Sequence, residues 1–285
     1  MSQTRDPEVH EEVAPPGGSE LFKRVISGIV LGIAAILAAW IGGMTFLLFC
    51  TAGALAVWWE WTGVIKAGPR TLLIAIGWLA IAGMALALGT DAAAIAFICA
   101  VIGAGVAMAS AQPGRGWAGG GIFYAAAVLV PAVMLRSDAS LGLVAILWLF
   151  AVVWAEDTGA YFAGRLIGGP KLAPRVSPNK TWAGAVGGAV AGVVAGSVVV
   201  AAAGIEWKLM HAVVALAVVV AAQLGDLLES AIKRRFGVKD ASALIPGHGG
   251  LMDRVDGFLI AAAAALAIGI ARAGPSAPAA GLLSW

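Results

Sequence analysis

Nine apolar stretches, joined by polar links, run from residue 25 to residue 271. They span approximately 25–41, 43–59, 71–88, 92–109, 119–135, 141–155, 183–204, 209–228 and 258–271. A helix of roughly 17–25 residues crosses the hydrocarbon core of a bilayer. Inside lipid, a helix also satisfies every backbone N–H and C=O within its own segment. The pattern therefore predicts an all-α, polytopic integral membrane protein with about nine transmembrane helices. A soluble fold is excluded: only 12% of residues are charged and mean hydropathy is +0.94, where soluble domains carry about 25% charge. The 39 glycines suit helices that pack closely in lipid. Cys50 and Cys99 both lie inside apolar runs, so neither a disulfide framework nor a thiolate metal site is expected.

Residues 1–20 are polar, acidic and rich in Pro and Gly. No apolar run follows a basic start there, so a signal peptide is not expected. We read 1–20 as a disordered cytoplasmic tail, 21–135 as N-terminal transmembrane helices and 136–285 as a C-terminal transmembrane catalytic region. With nine crossings and a cytoplasmic N-terminus, 15 of the 18 Lys and Arg residues fall on one side. Only Arg136, Lys208 and Arg272 fall on the other. The positive-inside bias thus predicts a multi-pass protein of the cell (inner) membrane, with its C-terminus outside the cytoplasm. Trp40, Trp58, Trp59, Trp61, Trp117, Trp154, Trp182 and Trp207 lie near run ends and are expected to act as interfacial anchors.

Two polar segments, 156–182 and 233–256, fall on the same predicted side, which places an active site at the cytoplasmic interface. The longer stretch 223–256 carries Asp226, Glu229, Asp240, Asp253 and Asp256. Acids between membrane-length runs are costly and point to function. If the eighth helix continues, Asp226, Glu229 and Ser230 share one face, being spaced i, i+3, i+4. Asp253 and Asp256 repeat the i, i+3 spacing at the start of the ninth. Asp226, Asp253 and Asp256 make an all-oxygen site of the kind Mg²⁺ takes together with substrate phosphates; a second cation is left open. The competing reading is structural ion pairing with Lys233 and Arg254. Lys233, Arg234, Lys239 and Arg254 beside such a site suit a triphosphate, although basic clusters of this kind also hold anionic lipid headgroups. In the loop around His248, Gly249 and Gly250 let backbone N–H groups approach a phosphate, and His248 is placed to donate to one. No P-loop, nucleophile-elbow or zinc-protease motif is present.

Residues 230–256 resemble the signature of phosphatidate cytidylyltransferases (CDP-diacylglycerol synthases). Ser230, Lys233, Arg234, Lys239, Asp240, Pro246, His248, Gly249, Gly250, Asp253, Arg254 and Asp256 fill its fixed positions. Asp157, Thr158, Gly159, Ala160, Tyr161, Gly164, Arg165, Lys171, Leu172, Ser177, Pro178, Lys180 and Thr181 resemble the family's other polar segment. Glu156 and Ala183 depart from its pattern. The resemblance implies transfer of a cytidylyl group from CTP to phosphatidate, giving CDP-diacylglycerol and diphosphate. It implies a catalytic set of Asp226, Lys233, Arg234, Lys239, Asp240, His248, Asp253, Arg254 and Asp256. Substrate contacts are expected from Asp157, Arg175, Ser177, Asn179, Lys180, Ser230, Gly249 and Gly250. Two anions must meet, so the expected division gives Lys233, Arg234 and Lys239 to CTP, and Arg175 and Lys180 to the lipid phosphate. The expected partners are CTP, phosphatidate and membrane lipid, with no nucleic acid; a homodimer is left open. A CDP-archaeol synthase, a CTP-dependent polyprenol kinase and an ion-coupled transporter are the alternatives.

Overall fold

The computed structural model describes residues 18–245 and 249–285, with side chains from Val25 onward. The long helices are α1 (Gly18–Ile41), α2 (Gly43–Ile65), α3 (Arg70–Gly89), α4 (Ala93–Ser110), α5 (Arg115–Ser137), α6 (Gly142–Leu166), α7 (Trp182–Ala202), α8 (Leu209–Arg235) and α9 (Met252–Ala273). Eight of them are long and apolar enough to cross a membrane, and the apolar part of α1, Val25–Ile41, is shorter. Each apolar run of the sequence corresponds to one helix. The chain is an all-α, multi-pass membrane protein.

Three elements depart from the sequence reading. Helix α6 does not stop at residue 155 but continues to Leu166, so Glu156 and Asp157 are helical rather than part of a loop. Continuing the helix keeps their backbone groups bonded, and Glu156 is buried against α7, with Gln223 Nε2 of α8 donating to its Oε1 (3.1 Å). Between α6 and α7, β1 (Lys171–Ala173) pairs antiparallel with β2 (Ser177–Thr181), with Lys171 opposite Thr181 and Ala173 opposite Ser177. The third addition is the short helix α10 (Pro278–Leu283).

Packing follows the small residues. Gly184, Gly188, Gly192 and Gly196 form the buried stripe of α7, against which α6 lies. A Cβ on Gly188 would meet the Glu156 carbonyl at 2.8 Å, and one on Gly192 would meet Val219 at 2.6 Å. The opposite face, Val186, Val190, Val194 and Val198, is 56–60% exposed, as a lipid-facing stripe should be. Trp58 and Trp61, expected as interfacial anchors, are instead core residues. Glycines on the facing helices, Gly77 and Gly121, leave room for their indoles. Their N–H groups donate to Leu73 O and Trp117 O, both at 2.9 Å. Trp40, Trp154, Trp182 and Trp207 are exposed, as anchors would be.

The two ends of the bundle are chemically distinct. At one end Arg136 Nε donates to Ala39 O (2.6 Å), Lys208 Nζ to Trp285 O (2.5 Å), and the Arg272 guanidinium lies 3.3 Å from the Trp285 ring centre. These are the three basic residues that the sequence placed apart from the other fifteen. Asp138 holds this end together. Its Oδ1 accepts from Ser140 N (2.9 Å), Ser140 Oγ (2.6 Å) and Leu141 N (3.3 Å), and its Oδ2 from Ala279 N and Ala280 N (both 3.0 Å). Burial by itself would raise its pKa, but the Ser140 hydroxyl and the backbone N–H groups outweigh burial and hold it below the ordinary aspartate value. A lowered folded pKa contributes stability above the unfolded pKa, about 3.9, and loses it as pH falls through the folded value. Asp138→Asn turns an acceptor into a donor facing N–H groups. It is expected to cost about 2 kcal/mol near neutral pH and to flatten the dependence of Tm on pH below about 4. An unchanged Tm in detergent would show that α10 docks without this carboxylate.

Candidate active site

The other end gathers both polar segments. Thr181, at the end of β2, caps α7 by accepting from Gly184 N (3.0 Å). That fixes the hairpin so that Lys180 forms an ion pair with Asp226 of α8. Arg234 Nε reaches Val176 O at 3.5 Å, tying the end of α8 to the hairpin turn. Asp226, Asp157 and Lys180 all act electrostatically on Asp256, and Glu156 and Asp226 act on Asp157. Carboxylates from α6 and α9 thus lie within electrostatic reach of the Lys180–Asp226 pair.

A second cluster lies beside the first. Lys233 Nζ sits 2.8 Å from Glu229 Oε2 and 2.7 Å from Asp253 Oδ1. Asp253 Oδ2 also accepts from Gly250 N (2.8 Å) and Ala241 N (3.0 Å). Both oxygens of Asp253 are therefore engaged, and Lys233 faces two acids. Gly249 has φ +83°, where a side chain would be strained, and its Cβ would lie 3.0 Å from Asp253 Oδ2. The Gly250 N–H, expected to face a phosphate, points at Asp253. Asp256, by contrast, accepts from its own neighbour, Gly257 N (2.9 Å).

Sequence reasoning missed Glu60. It lies just past the second apolar run, on α2, and is 1% exposed. Its Oε1 accepts from Ser242 Oγ (2.6 Å) and Leu251 N (2.8 Å), and its Oε2 from Met252 N (2.6 Å). Leu251 and Met252 open α9, so a carboxylate from α2 serves as the N-terminal cap of the helix that bears Asp253, Arg254 and Asp256. A Cβ on Gly250 would meet Glu60 Oε1 at 2.7 Å, which gives that glycine a steric reason. The one available signal was an acid inside a strongly apolar helix. Tyr124 of α5 was missed too: it is buried, its ring centre lies 4.9 Å from that of Trp61 at a tilt of 32°, and its hydroxyl has no hydrogen-bond partner among the described residues.

Arg175, Asn179, Lys239, Asp240, Arg254 and Arg234 are exposed, and Ser177 and Ser230 half-buried, on the hairpin and around the ends of α8 and α9. His248 lies outside the described residues, as do residues 1–17 of the expected N-terminal tail. The donor set is entirely oxygen, which fits a hard cation. Among the described residues no group of three or more His, Cys, Asp or Glu side chains is placed to hold a metal ion.

A sequence model of the cytidylyltransferase family matches residues 22–270. The chain is 43% identical over 274 residues to the phosphatidate cytidylyltransferase of Brucella suis biovar 1 (strain 1330), covering 94% of this chain and 100% of the relative. It is 34% identical over 276 residues to the phosphatidate cytidylyltransferase of Haemophilus influenzae, covering 85% and 96% respectively. A protein of the same name from Staphylococcus haemolyticus is 46% identical over 127 residues, 44% of this chain and 47% of the relative. With its acid–base site assembled from both polar segments and likeness along nearly its whole length, the chain belongs to the cytidylyltransferase family.

Proposed function

We propose that the protein transfers the cytidylyl group of CTP to phosphatidate, forming CDP-diacylglycerol and releasing diphosphate. The observation that carries this reading is the likeness to phosphatidate cytidylyltransferases over 94% of the chain. A phosphate monoester loses its second proton with a pKa of about 6, so the lipid phosphate is already a nucleophile. One of its oxygens bonds to the α-phosphorus of CTP while the bond from that phosphorus to the β-phosphate bridge breaks. No protein base has to take a proton. The site has to offset the repulsion between two anions, align them, and stabilise the leaving diphosphate.

The exposed Arg234, Lys239 and Arg254 are our candidates for the triphosphate, and Arg175, Ser177, Asn179 and Lys180 for the lipid phosphate. Because Lys180 pairs with Asp226, we read the two groups as adjoining parts of one anion site rather than separate ones. We assign Mg²⁺ to Asp226 and Asp256; Asp253 joins them only by releasing Lys233 or a backbone N–H. Bound there, Mg²⁺ would neutralise triphosphate charge and stabilise the leaving group. Purified protein with CTP, phosphatidate and Mg²⁺ in detergent should yield CDP-diacylglycerol, and chelation should stop it. No product from phosphatidate, with turnover of another lipid phosphate or of a polyprenol, would reassign the substrate.

We further place the acid–base end in the cytoplasm and the Asp138–α10 end outside it, in the cell (inner) membrane. The separation of three basic residues from the rest by the bundle supports this orientation. A reporter fused after Trp285 should map outside the cytoplasm and one inserted near Arg115 inside; a cytoplasmic C-terminus would reverse the assignment.

A further inference from the structure

Four exposed basic side chains form one surface at the acid–base end of the bundle. Lys66 caps the end of α2, Arg70 opens α3, Arg115 opens α5 and Arg235 ends α8. The links 66–69 and 111–114 pack together: a Cβ on Gly114 would lie 2.9 Å from the Ala67 Cβ, and one on Gly68 would lie 3.1 Å from the Ala111 Cα. The Arg235 guanidinium lies 5.6 Å from the ring centre of Trp117, in the first turn of α5, and the Arg70 guanidinium lies 5.2 Å from that of Trp59. Lys180 and Lys233 are paired with acids, whereas none of these four forms an ion pair among the described residues. The backbone prefers other residues at three of the positions. Lys66 has φ +48°, in the left-handed region where a helix ordinarily ends on glycine. Arg70 and Arg115 are the first residues of their helices, the end at which the helix dipole disfavours a cation. Membrane orientation requires basic residues on this side, but not their gathering where the backbone prefers something else. The reason lies in what they face.

We propose that this patch docks the phosphodiester headgroup of an anionic phospholipid of the surrounding leaflet, a lipid bound for position and not consumed. The level of the patch selects a lipid. Leu72, Leu79 and Leu86 are exposed along one face of α3, which begins beside Arg70, and Val106 and Met108 are exposed on α4 just before the link to α5. The patch therefore tops a lipid-facing surface, at the depth where bilayer headgroups lie. Half-buried Trp59 and Trp117 hold two of the guanidinium groups at that depth, as interfacial aromatic rings do. Arg70 Nε and Nη2 donate to Thr62 Oγ1 (3.4 Å) and Trp59 O (3.3 Å), which fixes the side chain and leaves Nη1 to meet a ligand. Charge selects an anion, and each Lys or Arg near an anionic membrane surface contributes about a factor of five in affinity. The inference does not depend on the reaction proposed above.

The test titrates the full-length protein in detergent with phosphatidylglycerol or with phosphatidylcholine of the same acyl chains, and counts bound lipids by native mass spectrometry. Neither CTP nor phosphatidate is present, so the outcome stands apart from the proposed reaction. Phosphatidylglycerol should bind the parent protein more tightly; equal affinity for the two lipids would overturn the proposal. Lys66→Gly/Arg115→Gln removes two of the four cations and puts glycine where the backbone accepts it. It should lower the affinity for phosphatidylglycerol by about tenfold or more, with Tm no lower than that of the parent. Arg165→Gln/Lys171→Gln removes the same charge from exposed positions elsewhere at this end and should leave that affinity within about twofold. An equal loss in both pairs would show a diffuse positive surface and not a site, and no loss in the first pair would overturn the site as well. If the first pair fails to fold, Arg235→Gln, which gives up only the Trp117 contact, decides: a loss of about fivefold is expected, and none would overturn the proposal. Displacement of the lipid by millimolar inorganic phosphate would reassign the patch to a soluble anion.

Discussion

Asp256→Asn is expected to lower cytidylyl transfer by about 10²–10³-fold, the loss seen when one electrostatic contact to a transition state is removed, with Tm unchanged. Asp253→Asn is expected to lose as much activity and to lower Tm as well. The two acids are three residues apart in one signature, yet the fold uses them differently. Asp256 accepts from the adjacent Gly257 N, a local bond that leaves it able to bind an ion or orient a ligand. Asp253 accepts from Lys233, Ala241 and Gly250. An amide there would set its own N–H₂ against two backbone N–H groups or leave Lys233 with Glu229 alone. Removing one member of a buried charge pair costs about 3–5 kcal/mol; with Asp253 and Lys233 only partly enclosed (8% and 14% side-chain exposure), solvent screening brings the expected cost below that range. Turnover as a function of Mg²⁺, together with Tm in the same detergent, separates the cases. Asp256→Asn with parental turnover and unchanged Mg²⁺ dependence would return Asp256 to a structural role. Asp253→Asn with an unchanged Tm would show that the loop is held by other contacts.

Glu60→Ala should lower both turnover and stability although Glu60 lies nearly two hundred residues from the signature. The substitution leaves the Ser242 hydroxyl and the N–H groups of Leu251 and Met252 without their acceptor. Hydrogen bonds to a charged group contribute about 1.5–3 kcal/mol each, so a loss of several kcal/mol is expected. Activity should fall about 10–100-fold, the range found when groups that orient metal ligands are changed, because the first turn of α9 carries Asp253, Arg254 and Asp256. Glu60→Gln keeps one carbonyl oxygen and should fall between parent and Ala. A cycle with Ser242→Ala should show coupling, since one hydroxyl–carboxylate bond links the pair. Additive effects, or Glu60→Ala with full activity, would mean that α9 orders its first turn without help from α2.

Much of this was legible in the residues. The nine runs specified the helices because a backbone in lipid has few ways to bond itself, and length plus hydropathy report that constraint directly. The Lys and Arg distribution set apart Arg136, Lys208 and Arg272, and the fold gathers them at one end, where Lys208 and Arg272 meet Trp285 and Arg136 meets the end of α1. The signature by itself named acids and bases that the fold brings to one end of the bundle. What one-dimensional pattern did not show is which charge faces which. Lys233 and Arg234 are adjacent in sequence, but a helix turns by about 100° per residue, so one faces Glu229 and Asp253 while the other faces the hairpin. Likewise Trp58 and Trp61 read as anchors from their place near a run end. Only the glycines opposite them on α3 and α5 make them core. The role of Glu60, the Lys180–Asp226 pair and the basic patch around Trp117 all depend on helices distant in sequence lying side by side. Composition and spacing determined that these helices would form. The close approach permitted by Gly77, Gly121, Gly188 and Gly250, a property of paired surfaces and not of any single segment, decided which of them meet.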